Sequence, residues 1–233
     1  MRFSLGLTVL FFLFTGLTFA SEGVINGNIF FEGKVPTFKP IRMESDAICV
    51  TSQTGKTYPQ TLVVGQKGEL ANVIVKVLNP PLIQTSIPQE PIIIDQKGCN
   101  YSPHVNIIRL GQKVKILNPD GTLHNVHSLS KVNKPFNLSM PKFRKELEQV
   151  FDKIEAPFAL KCDVHPWMIA WLTVVDNPFT VLSDTQGKFE IKGLPDGRYD
   201  LEAWHERLGV KKFQVDVKDG KADDVTFKFT MQE

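Results

Sequence analysis

Cys162-Asp-Val-His165-Pro-Trp-Met168 puts a thiol, an imidazole and a thioether into one short segment. A thiolate and an imidazole are soft and borderline donors. Joined by a thioether they suit copper, with strong bonds to Cys and His and a weak axial one to Met. Such a set needs a second imidazole, and Asn118-Pro-Asp-Gly-Thr-Leu-His124-Asn-Val-His127 supplies it. Zinc gains little from a thioether and prefers four N, S or carboxylate ligands, so Met168 weighs towards copper. Taken singly each residue has an ordinary role: a Cys after an apolar run is a small core residue, and a Met beside a Trp fills space. Four of them in this order and spacing carry the metal reading. Of the two upstream histidines, only one can point to the metal, because side chains three apart on a strand face opposite ways.

These residues sit between runs that read as strands. Val114–Leu117 precedes the His124 segment, Phe158–Leu160 precedes Cys162, and Ala170–Val175 follows Met168. Further β-branched and aromatic runs recur along the chain: Gly23–Phe31, Leu62–Val64, Ala71–Val77, Ile92–Ile94, Val105–Ile108, Phe189–Ile191, Tyr199–Trp204, Phe213–Val217 and Val225–Phe229. Turn residues separate them, and no long amphipathic helix appears, which predicts an all-β protein of sandwiches or barrels. Lys142–Val150 fits either a short helical turn or a loop and strand.

The pattern Asn-x-Asp with His-Asn-Val, followed some 40 residues later by Cys-x-x-His-Pro-x-Met, resembles the cupredoxins, the small blue-copper proteins with a Greek-key β-sandwich. Within that family the "HNVH" run and the short Cys–His–Met spacing are most like amicyanin; plastocyanin and azurin have longer loops here. The resemblance covers about residues 90–176. It implies one type 1 copper held by His124, Cys162 and His165 with Met168 as the axial ligand. It gives Asn125 the role of tying the two ligand loops together by hydrogen bonds near the sulfur, where such bonds tune a metal. It brings the edge of His165 to the surface, with Pro166 and Trp167 forming an apolar docking patch around it. His127 then lies beside the site or at the surface, His104 is a surface or structural residue, and His205 has no assigned role.

A second resemblance lies outside this segment. Gly23-Val-Ile-Asn-Gly-Asn-Ile-Phe-Phe and Ser183-Asp-Thr-Gln-Gly-Lys-Phe-Glu-Ile-Lys-Gly-Leu-Pro-Asp-Gly-Arg-Tyr resemble two parts of the transthyretin-like carboxypeptidase regulatory module, although its Thr-Asp dipeptide is missing. Their separation implies that residues 21–87 and 178–233 form one small sandwich into which a copper domain, residues 88–177, is inserted. One larger sandwich using all the strands is the other arrangement. With Cys162 needed as a free thiolate, Cys49 and Cys99 remain as a pair, and a disulfide between them would join the two parts.

Residues 1–20 carry Arg2, an apolar Leu5–Leu17 stretch and small residues before Ser21, as an export signal does. The stretch is short for a membrane span. A periplasmic or secreted protein without stable membrane insertion is expected, in a compartment where disulfides persist. A net charge of +2 and 22% charged residues argue against a basic nucleic-acid binder. The functional expectation is a one-electron carrier between redox proteins, such as a cytochrome or a dehydrogenase, and not an enzyme. Copper storage or delivery, or a non-redox β-sandwich with a lapsed site, are the competing classes. A multicopper oxidase would need His-x-His pairs, and the chain has none.

Overall fold

A computed structural model of the chain describes residues 22–231. The export signal expected over residues 1–20 lies outside them. The described chain is all-β apart from one short helix. Its strands fall into three sheets.

The largest sheet has eight strands drawn from both ends of the chain. They are β1 (Gly23–Phe31), β2 (Ile74–Val77), β11 (Thr180–Leu182), β12 (Lys188–Leu194), β13 (Gly197–His205), β14 (Gly209–Lys218), β15 (Lys221–Ala222) and β16 (Val225–Phe229). Their order is β11-β2-β13-β14-β15-β1-β12, with β16 also paired to β1. Strand β1 shows the reason in its sequence: Ile25, Ile29 and Phe31 alternate with more exposed residues and face a core with Phe189, Leu201, Val217 and Phe227. The turn before β12 is built by Asp184, whose carboxylate accepts N–H bonds from Gln186 and Lys188. Gly187 in that turn has a φ of +69°, and a Cβ there would lie 2.4 Å from the Ile29 carbonyl oxygen, so only glycine fits.

The strands between form two smaller sheets around a second core. β4 (Val105–Arg109), β10 (Ile169–Val175), β9 (Glu155–Lys161), β6 (His124–Ser128) and β7 (Asn137–Met140) lie side by side in that order. β3 (Ile92–Asp95), β5 (Lys113–Leu117) and β8 (Glu146–Val150) form the other sheet. Ile94, Ile116, Val126, Leu160 and Leu172 fill the space between them. Lys142–Val150, for which helix and strand were both open, is a turn leading into β8.

Two features link the halves. His104, ahead of β4, bonds the Glu206 carboxylate through Nε2 and the Ile169 carbonyl through Nδ1. Trp171 Nε1 donates to the same carboxylate at 2.8 Å, and its ring meets Trp204 edge-on at 5.1 Å. His104 is thus a buried structural residue. The second link is the helix, α1 (Ala47–Thr51), capped by Asp46, whose carboxylate accepts from the N–H groups of Ile48 and Cys49. No element was expected there. One helical turn is not stable alone; Met43 and Cys49 fix it by joining the second core.

Strand β9 begins with a buried carboxylate. Glu155 accepts from Ser130 Oγ, from the N–H groups of Lys131, Val132 and Asn133, and from Asn133 Nδ2, at 2.6–3.1 Å. Burial opposes its charge, but these bonds outweigh that and hold its pKa at about 2, against 4.5 ordinarily. A depressed pKa stabilises the fold above pH 4.5, and the gain is lost as pH falls towards 2. Glu155→Gln should therefore cost about 2 kcal/mol at pH 7, and urea unfolding should show the gap to the parent closing between pH 4.5 and 2. A gap that does not change with pH would remove the carboxylate charge as its cause.

Candidate metal centre

The pairing of β6 with β9 sets the site. His127 opposes Lys161 and Ser128 opposes Leu160 in antiparallel register. The start of β6 therefore lies against the segment that follows β9, and His124, the first residue of β6, stands over the Cys162–Met168 loop. That loop is closed by two backbone bonds, Cys162 N–H to Met168 O at 3.2 Å and Met168 N–H to His165 O at 2.9 Å. Tyr101 Oη donates to the carbonyls of Asn125 and Lys161 and ties the two strand ends together.

Three donors converge. Nδ1 of His124 lies 2.9 Å from Nδ1 of His165, and Cys162 Sγ lies 3.8 Å from His165 Nδ1. One donor atom from each of these residues falls within 4.8 Å of the others. His124 is 0% exposed, His165 1%, Cys162 2% and Met168 1%, and Met168 shares a buried cluster with Cys162. Both outward nitrogens are taken by carboxylates: His124 Nε2 meets Asp120 at 3.0 Å, and His165 Nε2 meets Asp46 at 3.2 Å. A carboxylate at Nε2 keeps the proton there and leaves Nδ1 as the donor to a metal.

The charges fit a cation. Burial works against a charged His124, yet Asp120 and the Cys162 sulfur raise it to about 9. Burial also opposes a Cys162 thiolate. The His124 ring and the backbone N–H groups of Asn125, His165 and Val164 outweigh it and lower that pKa. His165 is lowered by burial and by the neighbouring His124, with Asp46 opposing. A copper ion bound by these donors would release the protons they carry, as metal binding does.

Asn125 bridges the two ligand segments: its Oδ1 accepts from Asp163 N–H at 2.6 Å, and its Nδ2 donates to Asn137 and to the Asp163 carboxylate. His127 points away from the donors and bonds Asp163 at 3.0 Å on a half-exposed face. Cys49 and Cys99 form a disulfide with Cα atoms 5.5 Å apart.

One expectation fails. His165 does not reach the surface, because α1 and its cap lie across the ring. Asp46 and the Cys49 sulfur, 3.4 Å from Nε2, occupy the position where an exposed edge was expected. Pro166 is exposed, but Trp167 is half-buried, meets the His165 ring at a tilt with centroids 5.1 Å apart and donates through Nε1 to the Cys99 carbonyl at 2.9 Å. Sequence reasoning missed Asp46 and Asp120. Asp120 lies within the Asn118-Pro-Asp motif; Asp46 lies far from any ligand in sequence, and only the neighbouring Cys49 draws attention to that region.

Asp120 also accepts the N–H groups of Gly98 and Cys99, each at 2.9 Å, so one carboxylate orients a donor and fixes the disulfide loop. Asp120→Ala should weaken affinity for Cu(II) by about 10–100-fold, read by competition with a chromophoric chelator. An unchanged affinity would show that the ring needs no carboxylate to hold it.

No family model and no curated protein matches this sequence. Solved structures do resemble part of it. A copper-containing nitrite reductase from Thermus scotoductus SA-01 aligns at 18% identity and a TM-score of 0.35 over 42% of this chain; the aligned part spans 26% of the reductase chain. The Cu(I) form of an amicyanin variant aligns at 18% identity and a TM-score of 0.33, over 43% of this chain and 98% of amicyanin. A purple cupredoxin from Nitrosopumilus maritimus aligns at 26% identity and a TM-score of 0.31, over 36% of this chain and 99% of its own. Each of these three aligns over less than half of this chain.

Proposed function

We propose that this is an exported protein with one type 1 copper that carries single electrons between redox partners. The observation that supports it is the convergence of two imidazole Nδ1 atoms on the Cys162 sulfur in a buried pocket that also holds Met168. His124, Cys162 and His165 would hold the ion, with Met168 as the weak fourth ligand. When bound, copper supplies a Cu(II)/Cu(I) couple. The chain's part is to fix the donors and exclude water. Asp120 and Asp46 fix both rings from behind, Asn125 fixes the loops, and burial keeps solvent from the donors. Little then has to rearrange when an electron arrives. All the ligands come from the protein, which argues against a substrate position and against an enzyme.

We read residues 21–87 and 178–233 as one transthyretin-like host and 88–177 as the inserted copper domain. The eight-stranded sheet with its own core supports this. The Cys49–Cys99 disulfide supports export to an oxidising compartment. The covering turn moves the docking face away from a bare imidazole edge. Ile48 and Val50 on α1, with Leu123 and Val164 beside the ligand loops, are exposed apolar residues at this end. They suit the small, short-lived interface of an electron carrier.

Copper storage or delivery would use the same donors, so the test must separate holding an ion from cycling it. Voltammetry of the loaded protein should give a reversible one-electron wave, and the ion should stay bound against a competing chelator in both oxidation states. Rapid loss of Cu(I) to the chelator with no reversible wave would favour delivery.

A further inference from the structure

We propose that Cys49 and Cys99, once reduced, form with His165 a second soft-metal site, which takes Cu(I) at the covered end of the buried centre. One donor atom from each of these residues lies within 4.8 Å of the others, and all three residues are buried. Cys49 Sγ is 3.4 Å from His165 Nε2, on the side of the ring opposite Cys162 and His124. The imidazole therefore stands between two sets of sulfur donors. With the disulfide closed, the outer set offers no thiolate. With it open, two thiolates and an imidazole remain, a set that favours Cu(I).

The two cysteines are held unequally. Cys99 is fixed in the turn after β3, its N–H on Asp120 and its carbonyl on Trp167 Nε1. Cys49 rides on a single helical turn. Besides the disulfide, that turn is held by Met43 in the core, by Asp46 on Thr122 and His165, and by Gln53 Nε2 on the Gly98 carbonyl. Reduction would leave the turn docked through these bonds yet free to lift. The inner donors are at most 2% exposed, so an ion has to pass some cover to reach them. This turn lies over His165, and its Cys49 together with the neighbouring Cys99 would present two thiols on the way in. The reductant is a dithiol: it gives two electrons and two protons to the disulfide and itself becomes a disulfide. Binding of Cu(I) then releases the two thiol protons, and with the inner centre empty the His165 proton passes from Nε2 to Nδ1, which frees Nε2 as the donor.

The proposal rests on the copper reading only for the centre it would feed, so the test removes that centre. Cys162→Ser protein is reduced, desalted under nitrogen and titrated with Cu(I) against a chromophoric Cu(I) chelator. The reduced variant should bind one equivalent about 100-fold more tightly than the triple variant Cys49→Ser, Cys99→Ser, Cys162→Ser. The oxidised Cys162→Ser protein should match the triple variant, and adding His165→Gln should weaken the reduced site. Equal affinity in reduced and triple variants would overturn the proposal. So would a thiol count showing that the disulfide stays closed in folded protein, or loss of the β-sheet circular dichroism on reduction. A failed blue-copper reading in the parent protein leaves all these outcomes readable.

Discussion

His165 is gripped from both sides. Its Nδ1 faces His124 and the Cys162 sulfur, and its Nε2 faces Asp46 and the Cys49–Cys99 disulfide. A buried imidazole with an unsatisfied nitrogen would be costly, so the covering turn is tied to the inner donors through one ring. Asp46 uses one carboxylate oxygen to cap α1 and the other for His165 and Thr122. Movement of the turn therefore disturbs the ring, and the turn depends on the ring in return. The pairing of β6 with β9 supplies the second constraint, since with the alternation of side chains along β6 it sets His124 and not His127 over the loop.

Much of this was legible in the sequence because short-range chemistry dictates it. The alternation in Gly23–Phe31 and the Asp184–Gly187 turn give strands without reference to anything distant. Cys162, His165 and Met168 stand on one tight loop between two apolar runs, and the spacing alone brings them together. What stayed hidden depends on contacts across long separations. Asp46 reaches His165 across 119 positions, and His104 reaches Glu206 across 102. α1 was hidden for a different reason. It has no hydrophobic period to show, and it persists through Asp46, Met43 and Cys49 and not through its own propensity. The expected exposed edge of His165 failed for this reason: the resemblance describes a ligand loop, whereas the cover comes from a segment outside it.

That cover changes how a donor set of this kind would work. In an open site, a partner approaches the imidazole directly. Here a helical turn carrying Ile48 and Val50 covers that ring, latched by a disulfide to the loop that Asp120 also holds. The same carboxylate thus serves the His124 ring and the anchor of the cover. Access, ring orientation and the link between the two halves of the chain meet at residues 46–49, 98–99 and 120.

The central claim is that His124, Cys162 and His165 together hold one copper through its thiolate. The most direct measurement is a titration of the oxidised, metal-free protein with Cu(II), followed by visible absorption and electron paramagnetic resonance. An intense thiolate-to-copper band that saturates at one equivalent, with narrow hyperfine splitting, is the predicted result, and Cys162→Ser should abolish it. A weak spectrum without that band, or a band that persists in Cys162→Ser, would contradict the account.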